Sequence, residues 1–282
     1  MLQALLADCQ RLPQLTVKVL LETRCRQLSA GFPVTSVIIE PQADVLEIFR
    51  AELSWAELVW IIAPECDGIL QNLTELLCEF NVRSLGCEVA AVALTSHKWR
   101  TYQKLKALEL PTVSTQLLSE APCFSPGTWV IKPIDGVGST QTWRISQADD
   151  YDAVLAQLPN PSNFILQPFI AGQVASLSCI FAAGQARILS VNTQNIAFDG
   201  LQIQWLGAEV AALSKTATYQ NWVDTLAQAI PGLFGYVGID FIHSAAGDYI
   251  LEINPRLTTA YVGIFPTLGI NVVAEVLQTL EC

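Results

Sequence analysis

Two short runs of alternating side chains constrain the fold of this chain more than any other feature. Gly235-Tyr-Val-Gly-Ile-Asp-Phe-Ile242 and Asp248-Tyr-Ile-Leu-Glu-Ile-Asn254 each repeat with period 2, and only residues 243–247 separate them, so they pair as an antiparallel hairpin. With the turn centred near Ala246, Asp240 stands opposite Glu252 and Asn254 opposite Gly238, where the absent side chain leaves empty space. Two carboxylates thus meet on strands that are otherwise apolar. Like charges placed opposite each other weaken a ladder, so the arrangement calls for a positive charge between them. Mg²⁺ meets that need: a hard divalent ion takes one or two carboxylates and an amide oxygen, and completes its shell with water and nucleotide phosphates. The competing reading is a solvent-facing strand face that carries ordinary acids. Against it stands the confinement of the polarity to one face, opposite a buried one.

Composition narrows the class and the partners. The 282 residues are 51% apolar and 15% charged, with 16 Gly and 14 Pro, which excludes disordered, collagen-like, coiled-coil and low-complexity chains. This length corresponds to about two domains of roughly 150 residues, or one large α/β unit, and needs no disulfide or structural metal to hold a core. Fifteen Lys and Arg stand against 26 Asp and Glu, a net charge of −11 with no basic stripe. Neither nucleic acid nor an anionic membrane is therefore expected as a partner. No apolar run approaches the roughly 18–20 residues of a transmembrane helix, and residues 1–11 lack the basic start of a signal peptide, so a cytoplasmic location is expected. The eight cysteines (Cys9, Cys25, Cys66, Cys78, Cys87, Cys123, Cys179, Cys282) form no C-x-x-C pair and have only His97 and His243 beside them. That pattern argues against zinc and for reduced thiols packed as small hydrophobes.

Strand and helix alternate through residues 1–95. Thr16–Leu21, Thr35–Glu40 and Leu58–Ala63 read as strands and Asp44–Leu53 as a helix. Asp67 reads as the N-cap of a helix whose Ile69, Leu70, Leu73, Leu76, Leu77 and Phe80 form one apolar face, and the whole predicts a parallel α/β layer. Ser96 is expected to cap a helix over His97–Leu108, with the domain boundary near residue 95. Residues 96–170 read as a small α+β lobe: strand Thr128–Pro133, Gly-rich turn Ile134–Thr140, strand Gln141–Ile145, helix Asp149–Leu158 and strand Phe164–Pro168. Residues 171–282 read as a second lobe, with strands Ala175–Phe181, Arg187–Val191 and Gln202–Leu206. A helix carrying Tyr219, Trp222, Val223, Leu226 and Ile230 on one face follows, and then the hairpin.

Three further elements carry chemistry. Lys132 ends the apolar strand Thr128-Trp-Val-Ile131 and precedes Pro133 and the turn Asp135-Gly-Val-Gly-Ser-Thr140, whose glycines let backbone N–H groups approach an anion. A lysine beside such a loop suits polyphosphate, although a plain hairpin turn also explains the motif, which is neither a Walker loop nor a dinucleotide fingerprint. Lys98 opens a helix, at a positive terminus suited to phosphate. Phe164-Ile-Leu-Gln-Pro-Phe-Ile170 leads into Ala171-Gly172, a hinge whose backbone between Phe169 and Ile170 would meet an adenine edge, unless core packing accounts for the segment.

In the order Lys98, Lys132 with its loop, hinge, Asp240 and Glu252-x-Asn254-Pro-Arg256, the chain resembles the ATP-grasp superfamily over residues 95–256. The resemblance implies an α/β ATP-grasp fold. An N-terminal parallel α/β pre-ATP-grasp domain (1–95) would precede a small lobe with the Gly-rich loop (96–170) and a C-terminal lobe with the metal site (171–282), the two lobes clasping the nucleotide. It also implies roles. Lys98 and Lys132 would hold the phosphates under the loop of Gly136, Gly138 and Ser139. Gln167, Phe169, Ile170 and Gln173 would line the base and ribose, and Asp240, Glu252 and Asn254 would bind Mg²⁺ or Mn²⁺. Arg256, with Lys132, would steady the transferring phosphoryl group. Members of the superfamily make an acyl phosphate from ATP and a carboxylate, then pass the acyl group to an amine. Phosphoryl transfer needs positioning and charge neutralisation above all, which this residue set supplies.

A narrower likeness runs through Ala63-Pro-Glu-Cys-Asp-Gly-Ile-Leu70, Leu85-Gly86, Ser96-His-Lys-Trp-Arg-Thr-Tyr-Gln-Lys-Leu-Lys106, Leu110-Pro-Thr112, Val191-Asn-Thr-Gln194 and Leu206-Gly-Ala-Glu-Val210. These look like the tyramine–glutamate ligases of methanofuran biosynthesis and their methylofuran relatives, which implies glutamate joined through its γ-carboxylate to tyramine or tyrosine. Another ATP-grasp amino-acid ligase and a non-catalytic nucleotide-binding subunit are the alternatives, and a homodimer is one assembly the resemblance allows because relatives are often dimers, the sequence itself leaving the oligomeric state open. For the small-molecule substrates, Glu65 and Asp67 follow a strand at the carboxyl end of the predicted parallel sheet, where α/β folds bind ligands, and would meet a cationic amine, Glu65 being the better ligand because Asp67 reads equally as a helix cap. Asn192, Gln194 and Arg256 would meet the amino acid. The chain departs from the superfamily at Pro168, where the hinge commonly has an acid, at Gln173-Val174, where a Glu anchors the ribose, and at His97.

Overall fold

A computed structural model describes residues 1–121 and 123–280, so Cys282 lies outside the described residues. The chain begins with helix α1 (Leu2–Gln10), which the sequence reading did not anticipate. Its Leu5 and Leu6 are buried, Leu5 in a cluster with the C-terminal helices, a partnership too distant in sequence for local patterning to reveal. Strands β1 (Lys18–Glu22) and β2 (Thr35–Ile39) pair in parallel, with a 3₁₀ segment, Thr23–Ser29, between them. Helix α2 (Val45–Leu53) is capped by Asp44, whose carboxylate accepts the amides of Leu46 and Glu47. Strands β3 (Leu58–Val59) and β4 (Arg83–Ser84) form a second parallel pair around helix α3 (Ile69–Glu79). The expected parallel layer is thus two separate two-stranded ladders, not one sheet.

Two predicted caps are corrected. Asp67 does not cap α3: it has φ 56° inside a 3₁₀ turn, Cys66–Gly68, and Gly68 takes the N-cap position. Helix α4 (Val89–Thr95) runs into α5 (Lys98–Ala107), where His97 and not Ser96 is the N-cap, its Nδ1 accepting the Arg100 amide at 3.4 Å. The apolar face of α3 is also narrower than its spacing suggested. Leu70, Leu76 and Leu77 are buried, but Ile69 and Phe80 are exposed at its two ends. Thr74 takes a buried place by donating its hydroxyl to the Leu70 carbonyl.

The remaining strands form one nine-stranded sheet. In chain order they are β5 (Gln116–Leu117), β6 (Trp129–Pro133), β7 (Trp143–Ile145), β8 (Phe164–Pro168), β9 (Gln173–Ala182), β10 (Gln185–Asp199), β11 (Gln202–Leu213), β12 (Gly235–Ser244) and β13 (Gly247–Asn254). Their spatial order is β13-β12-β9-β10-β11-β7-β6-β8-β5. Strands β10 and β11 are longer than predicted because register shifts near Leu189, Asn192 and Asn195 break the alternation without ending the ladder. The two halves of the sheet join at one residue pair, Gln202 with Trp143, flanked by backbone bonds from Arg144 to Leu201 and from Ile203 to Thr142.

Helix α6 (Ala148–Leu155) covers the β6–β8 half through Tyr151 and Val154, while α7 (Ala217–Ala229) covers β9, β10 and β12 through Tyr219, Trp222, Val223 and Leu226. Helices α8 (Tyr261–Leu268) and α9 (Val272–Gln278) cover the opposite face with α1. Packing on both faces explains why β9 is almost wholly buried. Among the described residues no single helix is long and apolar enough to cross a membrane.

Candidate active site

The hairpin register is the one predicted: Asp240 faces Glu252, and Gly238 faces Asn254. A two-residue turn pairs Ser244 with Gly247, and a bulge at Leu251 then restores the Asp240–Glu252 pairing. The space above Gly238 is not empty, because a Cβ there would come within 2.4 Å of the Thr258 Cγ2. Thr258 is held in that place by the Tyr236 hydroxyl, 2.8 Å from its Oγ1.

Asp240 accepts an amide hydrogen from Gln194 at 2.8 Å on one oxygen and from Asn254 at 3.1 Å on the other. Burial, reinforced by the charge of Glu252, pushes its carboxyl well above the usual range. Burial acts on Glu252 in the same sense, but the charges of Lys98 and Lys132 outweigh it and hold that carboxyl low. Lys98 bridges directly: its Nζ lies 3.1 Å from Glu252 Oε2 and donates to the Gly136 carbonyl at 2.6 Å. Lys132 is buried, and among the described residues nothing accepts a hydrogen bond from its ammonium. Burial is the main reason that its pKa falls to about 8.

Lys98, Lys132, Gly136, Asp240 and Glu252 line one cleft together with Gly138, Ser139, Gln167, Phe169 and Gln194, whereas Asn254 and Arg256 are not among its lining residues. The glycine-rich segment owes its shape to local sterics. A Cβ on Gly136 would strike the Pro133 ring at 2.9 Å, and Gly138 and Ser139 both lie at positive φ. The hinge approaches the hairpin so closely that a Cβ on Gly172 would sit 2.6 Å from the His243 carbonyl oxygen. Gln167 is buried and donates to Thr115 Oγ1 at 2.8 Å, while the Phe169 amide is taken by the Thr128 carbonyl at 2.8 Å. No described residue accepts the Ile170 amide. Gln173 donates to the carbonyls of Val174 and Gln194, both at 2.8 Å, and so serves the strands beside the cleft.

The substrate candidates divide. Gln194 reaches the cleft, but as the partner of Asp240. Asn192 is fully buried: its amide group donates to Ser176 and Ser178, and its carbonyl oxygen accepts the Ala211 amide, so the structure does not bring it to the cleft surface. Glu65 is buried against Arg256, whose Nε donates to it at 2.6 Å. Asp67 is exposed and its backbone amide donates to Asp135 Oδ2 at 3.0 Å. Sequence reasoning missed Thr115, Thr258 and Asp135 as supporting groups, since no short-range pattern marks a partner so remote in the chain.

Two acids and an amide on a hairpin, facing two lysines under a glycine-rich loop across one twisted sheet, define an α/β fold built to enclose a polyanion. The chain belongs to the ATP-grasp family: residues 95–260 match the ATP-grasp domain and residues 15–92 the pre ATP-grasp 3 domain. Tyramine–L-glutamate ligase of Methanocaldococcus jannaschii is 32% identical over 206 residues, covering 72% of this chain and 57% of that protein. The enzyme of the same name from Methanocaldococcus fervens is 32% identical over 205 residues, covering 72% and 60%. The match thus spans a little under two thirds of each archaeal ligase. Among solved structures, an ATP-grasp superfamily protein from Archaeoglobus fulgidus has a TM-score of 0.68 at 24% identity, covering 93% of this chain and 88% of that one. That likeness is one of fold.

Proposed function

We propose that this chain is an ATP-dependent carboxylate–amine ligase. In the reaction, a substrate carboxylate oxygen attacks the γ-phosphorus as its bond to the bridging oxygen of ADP breaks. The amine nitrogen then attacks the acyl carbon, phosphate leaves, and the proton lost from nitrogen passes to solvent. The observation that carries this reading is the convergence of Asp240 and Glu252 with Lys98 and Lys132 on one cleft beside the glycine-rich loop, with Asn254 bonded to Asp240 from behind the lining.

The oxygen-only donor set of Asp240, Glu252 and the Asn254 amide fits Mg²⁺ or Mn²⁺, and a cation there would offset the burial and the Glu252 charge that disfavour an ionised Asp240. When bound there, the ion would neutralise phosphate oxygens. The Lys132 ammonium, which donates no hydrogen bond to a described residue, would contact phosphate, and Lys98 would meet it while keeping its hold on Gly136. Gly136, Gly138 and Ser139 would close over the phosphates. The free Ile170 amide would meet the base edge beside Gln167 and Phe169, while Gln173 holds the strands beside the cleft. Arg256 would steady the phosphoryl group in transfer. Because Arg256 occupies Glu65, the exposed carboxylate of Asp67 would receive the cationic amine. The three working units in this reading are residues 1–95, 96–170 and 171–282.

For substrates, the identity to the two archaeal tyramine–L-glutamate ligases supports glutamate and tyramine, while the γ-carboxylate, tyrosine as the other amine and a methanofuran-type cofactor pathway rest on the sequence resemblance alone. Incubation with Mg-ATP, glutamate and a panel of aromatic amines, with products read by mass, tests it. A γ-glutamyl amide of tyramine or tyrosine is expected, with ADP release that depends on both substrates. ADP release without either substrate, or none with any amine, would overturn the reading.

A further inference from the structure

Glu65 is among the most buried acids of the chain, with 6% of its surface exposed, and its side-chain partner is Arg256. The contact joins the N-terminal layer to the residue that directly follows Asn254 and Pro255. On the guanidinium, Nε donates to Glu65 at 2.6 Å and Nη1 to the Leu257 carbonyl at 3.1 Å. No described residue takes Nη2. The planar group is therefore pinned through Nε and Nη1, its Nη2 is left without a described acceptor, and 18% of the side chain is exposed.

The chain alone would not aim this group. Four side-chain torsions separate the Arg256 backbone from its guanidinium, and a free arginine spreads over many rotamers. Glu65 removes that freedom with a charge-assisted bond from a rigid place. The segment that carries it also grips the glycine-rich loop, because the Asp67 amide donates to Asp135, the neighbour of Gly136. Left-handed conformations at Asp67 (φ 56°) and Gly68 (φ 69°) make the turn tight enough for both contacts to arise two residues apart. One short turn thus fixes Arg256 relative to the loop that would cover the phosphates.

We propose that Glu65 is a positioning residue for Arg256: it orients the guanidinium so that its Nη2 edge faces the phosphoryl group in transfer, and it does not bind the amine. The proposal rests on the role given to Arg256 above and deepens it.

The test compares the affinity of Mg·ADP alone with that of Mg·ADP plus aluminium fluoride, a mimic of the phosphoryl group in flight, by calorimetry and without amine or carboxylate. Wild type is expected to bind the fluoride complex more tightly than Mg·ADP. Glu65→Gln should keep Mg·ADP affinity within about threefold and lose about tenfold or more for the fluoride complex, the scale of one charge-assisted bond. Arg256→Lys should lose a similar factor, and the double variant no more than Arg256→Lys, because the carboxylate acts through the guanidinium. Glu65→Asp, which keeps the charge one methylene shorter, should fall between wild type and Glu65→Gln, and it serves as the variant if Glu65→Gln does not fold.

Loss in Arg256→Lys with none in the Glu65 variants would overturn the positioning role and leave the reading of Arg256 standing. Equal weakening of Mg·ADP and of the fluoride complex, or additive losses in the double variant, would also overturn it. A wild type that gains nothing from fluoride would sink the reading of Arg256, and the proposal with it.

Discussion

The ammonium of Lys98 stands 3.1 Å from the carboxylate of Glu252, and with its bond to the Gly136 carbonyl it ties helix α5, the hairpin and the glycine-rich loop into one unit. Lys98→Met cuts both ties. The loop loses its anchor, and Glu252 loses one of the two charges that hold its carboxyl low. Mg·ADP affinity should fall by about tenfold or more, and proteolysis within residues 134–142 should accelerate. Unchanged cleavage and unchanged affinity would show that the bridge is incidental.

Lys132 makes a prediction about pH. Burial lowers its pKa from 10.5 to about 8, so the unfolded chain binds more protons than the folded one between those values. The cost of holding the ammonium is present in full below about pH 8 and fades as pH rises through 10.5. Lys132→Met should therefore raise the stability of the ligand-free protein at pH 7 by about 2–3 kcal/mol, with the gain shrinking towards pH 10. Denaturant melts of both proteins at the two pH values measure the difference. A gain of equal size at both would mean that the charge is not its source.

Asp240→Asn should fold normally. It removes one of two facing negative charges, at the cost of about 1 kcal/mol for an amide that cannot accept from both Gln194 and Asn254. What it should lose is the Mg²⁺-dependent part of ADP binding. Calorimetric titrations with and without the ion give that increment directly, and its survival in the variant would place the metal elsewhere.

Gly238 and Thr258 give a purely steric test. Gly238→Ala sets a methyl against the Thr258 Cγ2 and should cost about 1–3 kcal/mol. Thr258→Ser in the same chain removes the obstructing methyl and keeps the hydroxyl beside Tyr236, so most of the loss should return. Melting temperatures of the two single variants and the double variant suffice to decide it.

The hairpin shows how much of the site was legible. Alternation fixed which residues share a face, but the turn is centred half a residue from where counting placed it, and the bulge at Leu251 compensates. Without that bulge Asp240 would face Leu251. Lys132 was legible because it closes an apolar strand before a glycine-rich turn, and Lys98 because it opens a helix. The cap at Asp67 was misread because a tertiary contact to Asp135 holds its backbone in a left-handed turn, and the cap at Ser96 because Ser96 closes helix α4 while His97 caps α5. The engagement of Asn192 with Ser176, Ser178 and Ala211, and of Glu65 with Arg256, joins residues that no spacing relates.

The join between β7 and β11 has a mechanical consequence. Resistance of a sheet to folding along a line grows with the number of ladder bonds that cross it, and this line is crossed by one residue pair and its two flanking bonds. Every other junction among the long strands is stitched over many residues, so bending strain concentrates there, like a crease pressed into stiff cloth. The glycine-rich loop and Lys132 lie on one side of the crease, and Asp240 and Glu252 on the other. A small rotation about it changes the gap between the lysine and the acids while each half keeps its own pairing intact.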